Sequence, residues 1–284
     1  MALKEKFKCF SEKYIYVFIV VCALVFLLLP LLIFNLAGGR PGNITTFYII
    51  KIFTFLIPTA LILAAAYPLH LLNKSDFSAK KLGWGLLIGL PLMLLLLLFN
   101  NTLHMLTSGQ LNEGVSFLTV ILFILFYIVV GFSEEIVCRG IIFNALRSKH
   151  GYTGKGLLCA IVLSSFIFGV VHFINLMYGS PLIPTTSQVL YSAVIGVFFC
   201  AVYVRVGSLL PLIIIHALVN MFSGLKDILT VAGSDNTPVT TELPQAELTL
   251  MDMFTTPLFM LPFMLFGLFL IRKQLLRKDG GDLQ

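Results

Sequence analysis

The sequence predicts an all-α, polytopic membrane bundle of about eight transmembrane helices with both termini in the cytoplasm. Three observations predict it. The first is composition: 58% of the 284 residues are hydrophobic and 11% charged, and the mean hydropathy is +1.00. Soluble globular chains lie far from those values. The second is a series of apolar runs long enough to cross a hydrocarbon core of about 30 Å. They fall near residues 14–36, 45–72, 84–99, 115–132, 156–176, 189–206, 209–225 and 254–271. The third is the placement of lysine and arginine in alternate connections, the bias that marks cytoplasmic loops.

Each connection follows that bias. Lys4, Lys6, Lys8 and Lys13 precede the first run, Lys74, Lys80 and Lys81 separate the second from the third, and Arg147, Lys149 and Lys155 the fourth from the fifth. Arg205 lies between the sixth and seventh, and Arg272, Lys273, Arg277 and Lys278 follow the eighth. The intervening connections, 100–114, 177–188 and the acidic, threonine-rich 233–247, are nearly free of both, with Arg40 and Lys226 as exceptions. The net charge of +6 therefore reports topology, and nucleic acid is not an expected partner; the lipid bilayer is. The first run is too long for the apolar core of a secretory signal and no small-x-small cleavage pattern follows it, so it reads as a retained helix. Cys9, Cys22, Cys138, Cys159 and Cys200 show no paired spacing, which argues against a disulfide framework or a cysteine zinc site. Without an internal repeat, a nucleotide loop or a soluble domain, residues 1–284 read as one integral membrane domain, and any activity belongs to its helices.

Ionisable side chains within such helices are candidate functional groups, because each costs roughly 2.5–3.5 kcal/mol at the bilayer centre. Three clusters stand out: Glu134, Glu135 and Arg139; His172 with Phe168 one turn earlier; and His216 with Asn220 one turn later. Glu135 and Arg139, spaced i, i+4, can pair on one helix face. Neighbouring residues point about 100° apart, so Glu134 is expected to face elsewhere, into the bundle, as the reactive carboxylate. The rival reading is a charge cluster where the fourth run exits toward the cytoplasm. His172 or His216 alone would read as interhelical hydrogen-bond glue. Together, a carboxylate, two histidines and an amide supply a general base, a group to position water and donors for an oxyanion. That set suits amide hydrolysis by activated water.

Glu-Glu-x-x-x-Arg at 134–139, Phe-x-x-x-His at 168–172 and His-x-x-x-Asn at 216–220, in that order on successive helices, resemble the motifs of the CPBP (CAAX protease and bacteriocin-processing, or Abi) intramembrane proteases. The family includes the Ras-converting CAAX prenyl endopeptidase. The resemblance covers residues 115–224, the expected catalytic core. It implies an eight-helix endopeptidase in which Glu134 and His172 activate water, His216 and Asn220 stabilise the oxyanion, and Glu135, Arg139 and Phe168 support them. It also leaves a second mechanism open, because family members are described as metalloproteases and Glu134, His172 and His216 would make a His2Glu zinc set with water in the fourth place. Asparagine suits an oxyanion hole better than a zinc site, which favours the metal-free form with no required cofactor. The expected substrate is a peptide or membrane-associated protein, cleaved from the cytoplasmic side of the cell membrane because the charge bias places Glu134 toward that half. The alternatives are a non-hydrolytic bacteriocin-immunity or partner-binding protein and a proton-coupled transporter.

Overall fold

The computed structural model describes residues 13–99, 102–231 and 250–277. Among them, eight helices are long and apolar enough to cross a membrane, and the protein is a multi-pass integral membrane protein. We label them α1 (Ile15–Leu36), α2 (Ile44–Ala66), α3 (Leu82–Phe99), α4 (Phe117–Glu135), α5 (Gly154–Val170), α6 (Leu182–Val206), α7 (Leu210–Gly224) and α8 (Asp252–Leu270). The segment 233–247, Cys9 and the outermost lysines fall outside the described residues.

The helices start where local chemistry directs. Asn43 caps α2 by accepting from the Thr45 and Thr46 amides, and Ser116 with Thr119 forms a reciprocal box at the start of α4, each satisfying amides that lack a partner in the first turn. Gly207, at φ 71°, ends α6 in the left-handed conformation that glycine adopts without strain. Leucine, isoleucine and phenylalanine cover the outside of the bundle, as at Leu94, Leu125, Phe166 and Leu258, where the solvent is hydrocarbon.

α6 is the central post: its second half is buried nearly continuously from Ile195 to Tyr203, and α5 and α8 pack against it. α4 packs against α7 and α2, and α3 lies along α7. Gly131 sets the α4–α7 approach. A Cβ there would sit 2.8 Å from both the Ile213 carbonyl oxygen and the Ala217 nitrogen, so only glycine lets the backbones meet.

Two features depart from the sequence reading. The fourth helix does not exit after Phe132. It continues past Glu135 through a π-helical stretch, Ile136–Phe143, and a last pair of turns, Asn144–His150, so the glutamates lie mid-helix and the exit-cluster reading fails. The connection before α4 is also structured from residue 102 onward: a short helix, Thr102–Ser108, leads into strand β1 (Gly109–Leu111), which pairs antiparallel with β2 (Leu229–Val231). This ribbon joins the chain before α4 to the chain after α7.

At the opposite end, Asp76 ties a knot. Its carboxylate accepts from Tyr203 Oη at 2.8 Å and the Asn73 amide at 2.7 Å, and its carbonyl from the Leu209 amide at 2.7 Å and Ser208 Oγ at 3.2 Å. Asn144 Nδ2 adds bonds to Tyr203 Oη at 3.0 Å and the Leu71 carbonyl at 2.8 Å. Backbone polar groups at membrane depth need such partners. Replacing Gly131 with leucine is expected to force α4 from α7, destabilising the protein by about 1–3 kcal/mol. Thermal unfolding in detergent, followed by circular dichroism, measures that loss.

Candidate functional site

Glu135 and Arg139 lie on the fourth helix as the i, i+4 spacing predicts. Both are fully buried, and Arg139 Nη1 donates to Glu135 Oε1 at 2.8 Å. The guanidinium rests 4.2 Å from the centre of the Phe168 ring and 5.2 Å from that of Phe199, so aromatic faces shield the charge that the carboxylate does not meet. Phe168 thereby reaches across from α5 to the α4 ion pair.

The two glutamates are less separate than helical geometry suggests. His216, on α7, stands between them: its Nδ1 lies 2.7 Å from Glu135 Oε1 and its Nε2 3.2 Å from Glu134 Oε2. An imidazole ring presents its nitrogens on different edges, so one side chain bridges carboxylates that point about 100° apart. Both glutamates meet His216, but Glu135 is also held by Arg139 and fully buried, whereas the Glu134 side chain is 13% exposed. The π-helical stretch begins at the next residue, a backbone irregularity that is frequent at functional sites.

His172 follows α5 in a short 3-10 turn and its Nδ1 donates to the Phe168 carbonyl at 2.8 Å. A carbonyl can only accept, so Nδ1 holds the proton and the neutral ring keeps its lone pair on Nε2. The Phe168 ring meets His172 edge-on at 5.1 Å and His216 at 5.8 Å between centroids, wedging the two imidazoles in place. Among the described residues, no group of three His, Cys, Asp or Glu side chains is placed to hold a metal ion, and both nitrogens of His216 already face carboxylates.

His172, His216 and Asn220 line a cavity of about 700 Å³. Its walls come from α3, α6, α7 and α8, with Leu92, Ile195, Phe199, Val219 and Met260 supplying apolar surface. One face of α6, at Gln188, Tyr191 and Ser192, adds polar groups. None of the three belongs to the clusters that stand out in the sequence, where Gln188 ends a loop; α6 instead starts at Leu182. Their i, i+3, i+4 spacing was the available signal. Gln188 is held by Asn175, whose Nδ2 donates to Gln188 Oε1 at 2.7 Å.

Polar side chains gather at one end of the cavity. Its rim is formed by Ser223, Lys226, Asp227, Thr255 and Thr256, at the end of α7 and the start of α8. Those ends lie on the side of the β1–β2 ribbon, away from the lysine- and arginine-rich connections, none of which contributes to the lining.

The structure thus brings two histidines and an amide to a mostly apolar cavity, with Glu134 and Glu135 behind His216 rather than among the lining residues. Residues 116–222 match the family described as type II CAAX prenyl endopeptidase Rce1-like. The match covers the helical core, spans all three motifs and makes this core similar to the CAAX proteases. Neither a curated protein nor a solved structure matches the chain.

Replacing Arg139 with alanine leaves Glu135 buried without its cation, and is expected to destabilise the protein by about 3–5 kcal/mol. Arg139→Lys should recover only part of this, because an ammonium cannot lie flat on Phe168 and Phe199 while reaching Glu135. Unfolding midpoints of the two variants in one detergent give the comparison.

Proposed function

We propose that the protein hydrolyses a peptide bond in a peptide or membrane-associated substrate, with Glu134 and His172 activating water and His216 and Asn220 stabilising the oxyanion. The observation that carries this reading is the position of His216. It joins both glutamates at one side and lines the cavity with His172 and Asn220 at the other.

The roles follow from proton inventory. His172, donating at Nδ1 to a carbonyl, offers only Nε2 to a water, as an acceptor. Glu134, the more exposed of the two carboxylates, takes the proton when that water attacks the substrate carbonyl, and returns it to the leaving amine. Glu135, fastened by Arg139, fixes the His216 ring through Nδ1. A His216 protonated at both nitrogens balances, with Arg139, the charges of the two glutamates; its Nε2–H, which meets Glu134 at 3.2 Å, turns to the oxyanion once Glu134 has taken the proton of the water. Asn220, one turn further along α7, adds an amide N–H.

The substrate reaches the site through the mouth beside Lys226 and Thr255, from the face opposite the basic connections. In sealed proteoliposomes of known orientation, peptide offered on that face is expected to be cleaved and peptide offered on the other face spared. Glu134→Ala should lower the rate about 10²–10⁴-fold and Asn220→Ala about 10²–10³-fold. Parental cleavage by the Glu134 variant would overturn the mechanism and would favour a partner-binding or immunity role for the scaffold. Equal cleavage from both faces would overturn the route.

This mechanism needs no metal. Dialysis against a strong chelator, with metal content measured before and after by emission spectrometry, is expected to leave the cleavage rate within about twofold, far from the loss that removal of a Lewis acid brings. Loss of activity that tracks loss of stoichiometric zinc would replace the glutamate mechanism with the His2Glu one.

A further inference from the structure

A second cavity lies far from the catalytic groups, at the Asp76 end of the bundle. α8 breaks at Ile271, which is fully buried, and the chain turns into a short helix α9, Arg272–Leu276. Rather than leaving the bundle, α9 folds against α5, with Leu275 packed on the core. The turn gathers Arg272, Lys273 and Arg277 beside Arg205, from the last turn of α6. With Leu270 and Gln274 they line a hollow of about 320 Å³.

The charge bias of membrane proteins accounts for basic residues on this side, but not for their convergence. Four cations from two elements surround one concavity whose lining contains no acidic residue, and among the described residues none of the four has a carboxylate within 4.0 Å. Like charges so placed repel one another and raise the local concentration of anions. Arg272 is also set in advance: its Nη1 donates to the Phe269 carbonyl at 3.0 Å and its guanidinium lies 3.9 Å from the centre of the Phe269 ring. Little side-chain freedom is left for a ligand to remove.

We propose that this hollow binds the phosphodiester headgroup of an anionic phospholipid. The surface beside the cations selects lipid over a free anion. Phe269, 56% exposed, lies against Arg272, and Leu270 lines the hollow itself, so apolar side chains adjoin the cations where acyl chains would descend from a bound headgroup. Guanidinium groups match phosphate oxygens in geometry, and basic pockets between membrane helices on this side bind acidic headgroups. The bound lipid would also fasten α9 to α6, closing the break at Ile271.

Full-length protein in a neutral detergent is titrated with phosphatidylglycerol, phosphatidylcholine and inorganic phosphate, and bound species are read by native mass spectrometry. The parent is expected to bind phosphatidylglycerol at least about tenfold more tightly than phosphatidylcholine, and a combined R205Q, R272Q and R277Q variant to show less than about a twofold preference. Unfolding of that variant in phosphatidylcholine reports whether it folds. If it does not, the single R205Q change, at an exposed helix end, should still lower the preference by about threefold or more. An undiminished preference in the folded combined variant, or in R205Q where that variant does not fold, overturns the proposal. Inorganic phosphate that binds and displaces phosphatidylglycerol at similar concentration overturns the choice of lipid.

Discussion

The buried bond between Arg139 and Glu135 is the constraint on which the site depends. A guanidinium and a carboxylate without surface exposure persist only when each satisfies the other, since desolvating either alone costs several kcal/mol. Glu135 has a second obligation, to His216 Nδ1 at 2.7 Å. Through these two contacts α4 fixes the orientation of a ring on α7. Phe168 then carries the constraint to α5, lying under the guanidinium and against both imidazoles. Three helices are thus held in register by one charge that cannot leave.

Close backbone contact makes that register reachable. Glutamate spans few bonds, so its helix must come near α7, and Gly131 permits this one turn before the glutamates. The π-helical stretch that begins after Glu135 then alters the phase of the following turn. Packing, an ion pair and a backbone irregularity converge within one segment of α4, which explains why the motif residues there act as a unit rather than as separable parts.

Much of this was legible in the sequence. The eight spans followed from run length and loop charge, because a bilayer imposes both on any chain that crosses it. The Glu135–Arg139 pair followed from spacing. What could not be read was the bridging of both glutamates by His216, because ring orientation depends on packing between helices distant in sequence. Nor could the continuation of α4 to His150 be read, since a polar stretch within a long helix has the same composition as its exit. Gln188, Tyr191 and Ser192 went unnoticed because a few polar residues near the start of an apolar run give no local sign of what they face.

The knot at Asp76 has a consequence for the membrane itself. A hydrolase working at depth must admit water, yet a wet passage through the whole bilayer would dissipate ion gradients. Here Asp76, Tyr203 and Asn144 bind the ends of α2, α4, α6 and α7 together on the basic side, while the cavity opens at the other. The polar lining of the cavity gathers at the ribbon end and the hydrogen-bonded knot at the basic end, so a bundle built this way separates a water supply from the seal that keeps a membrane tight.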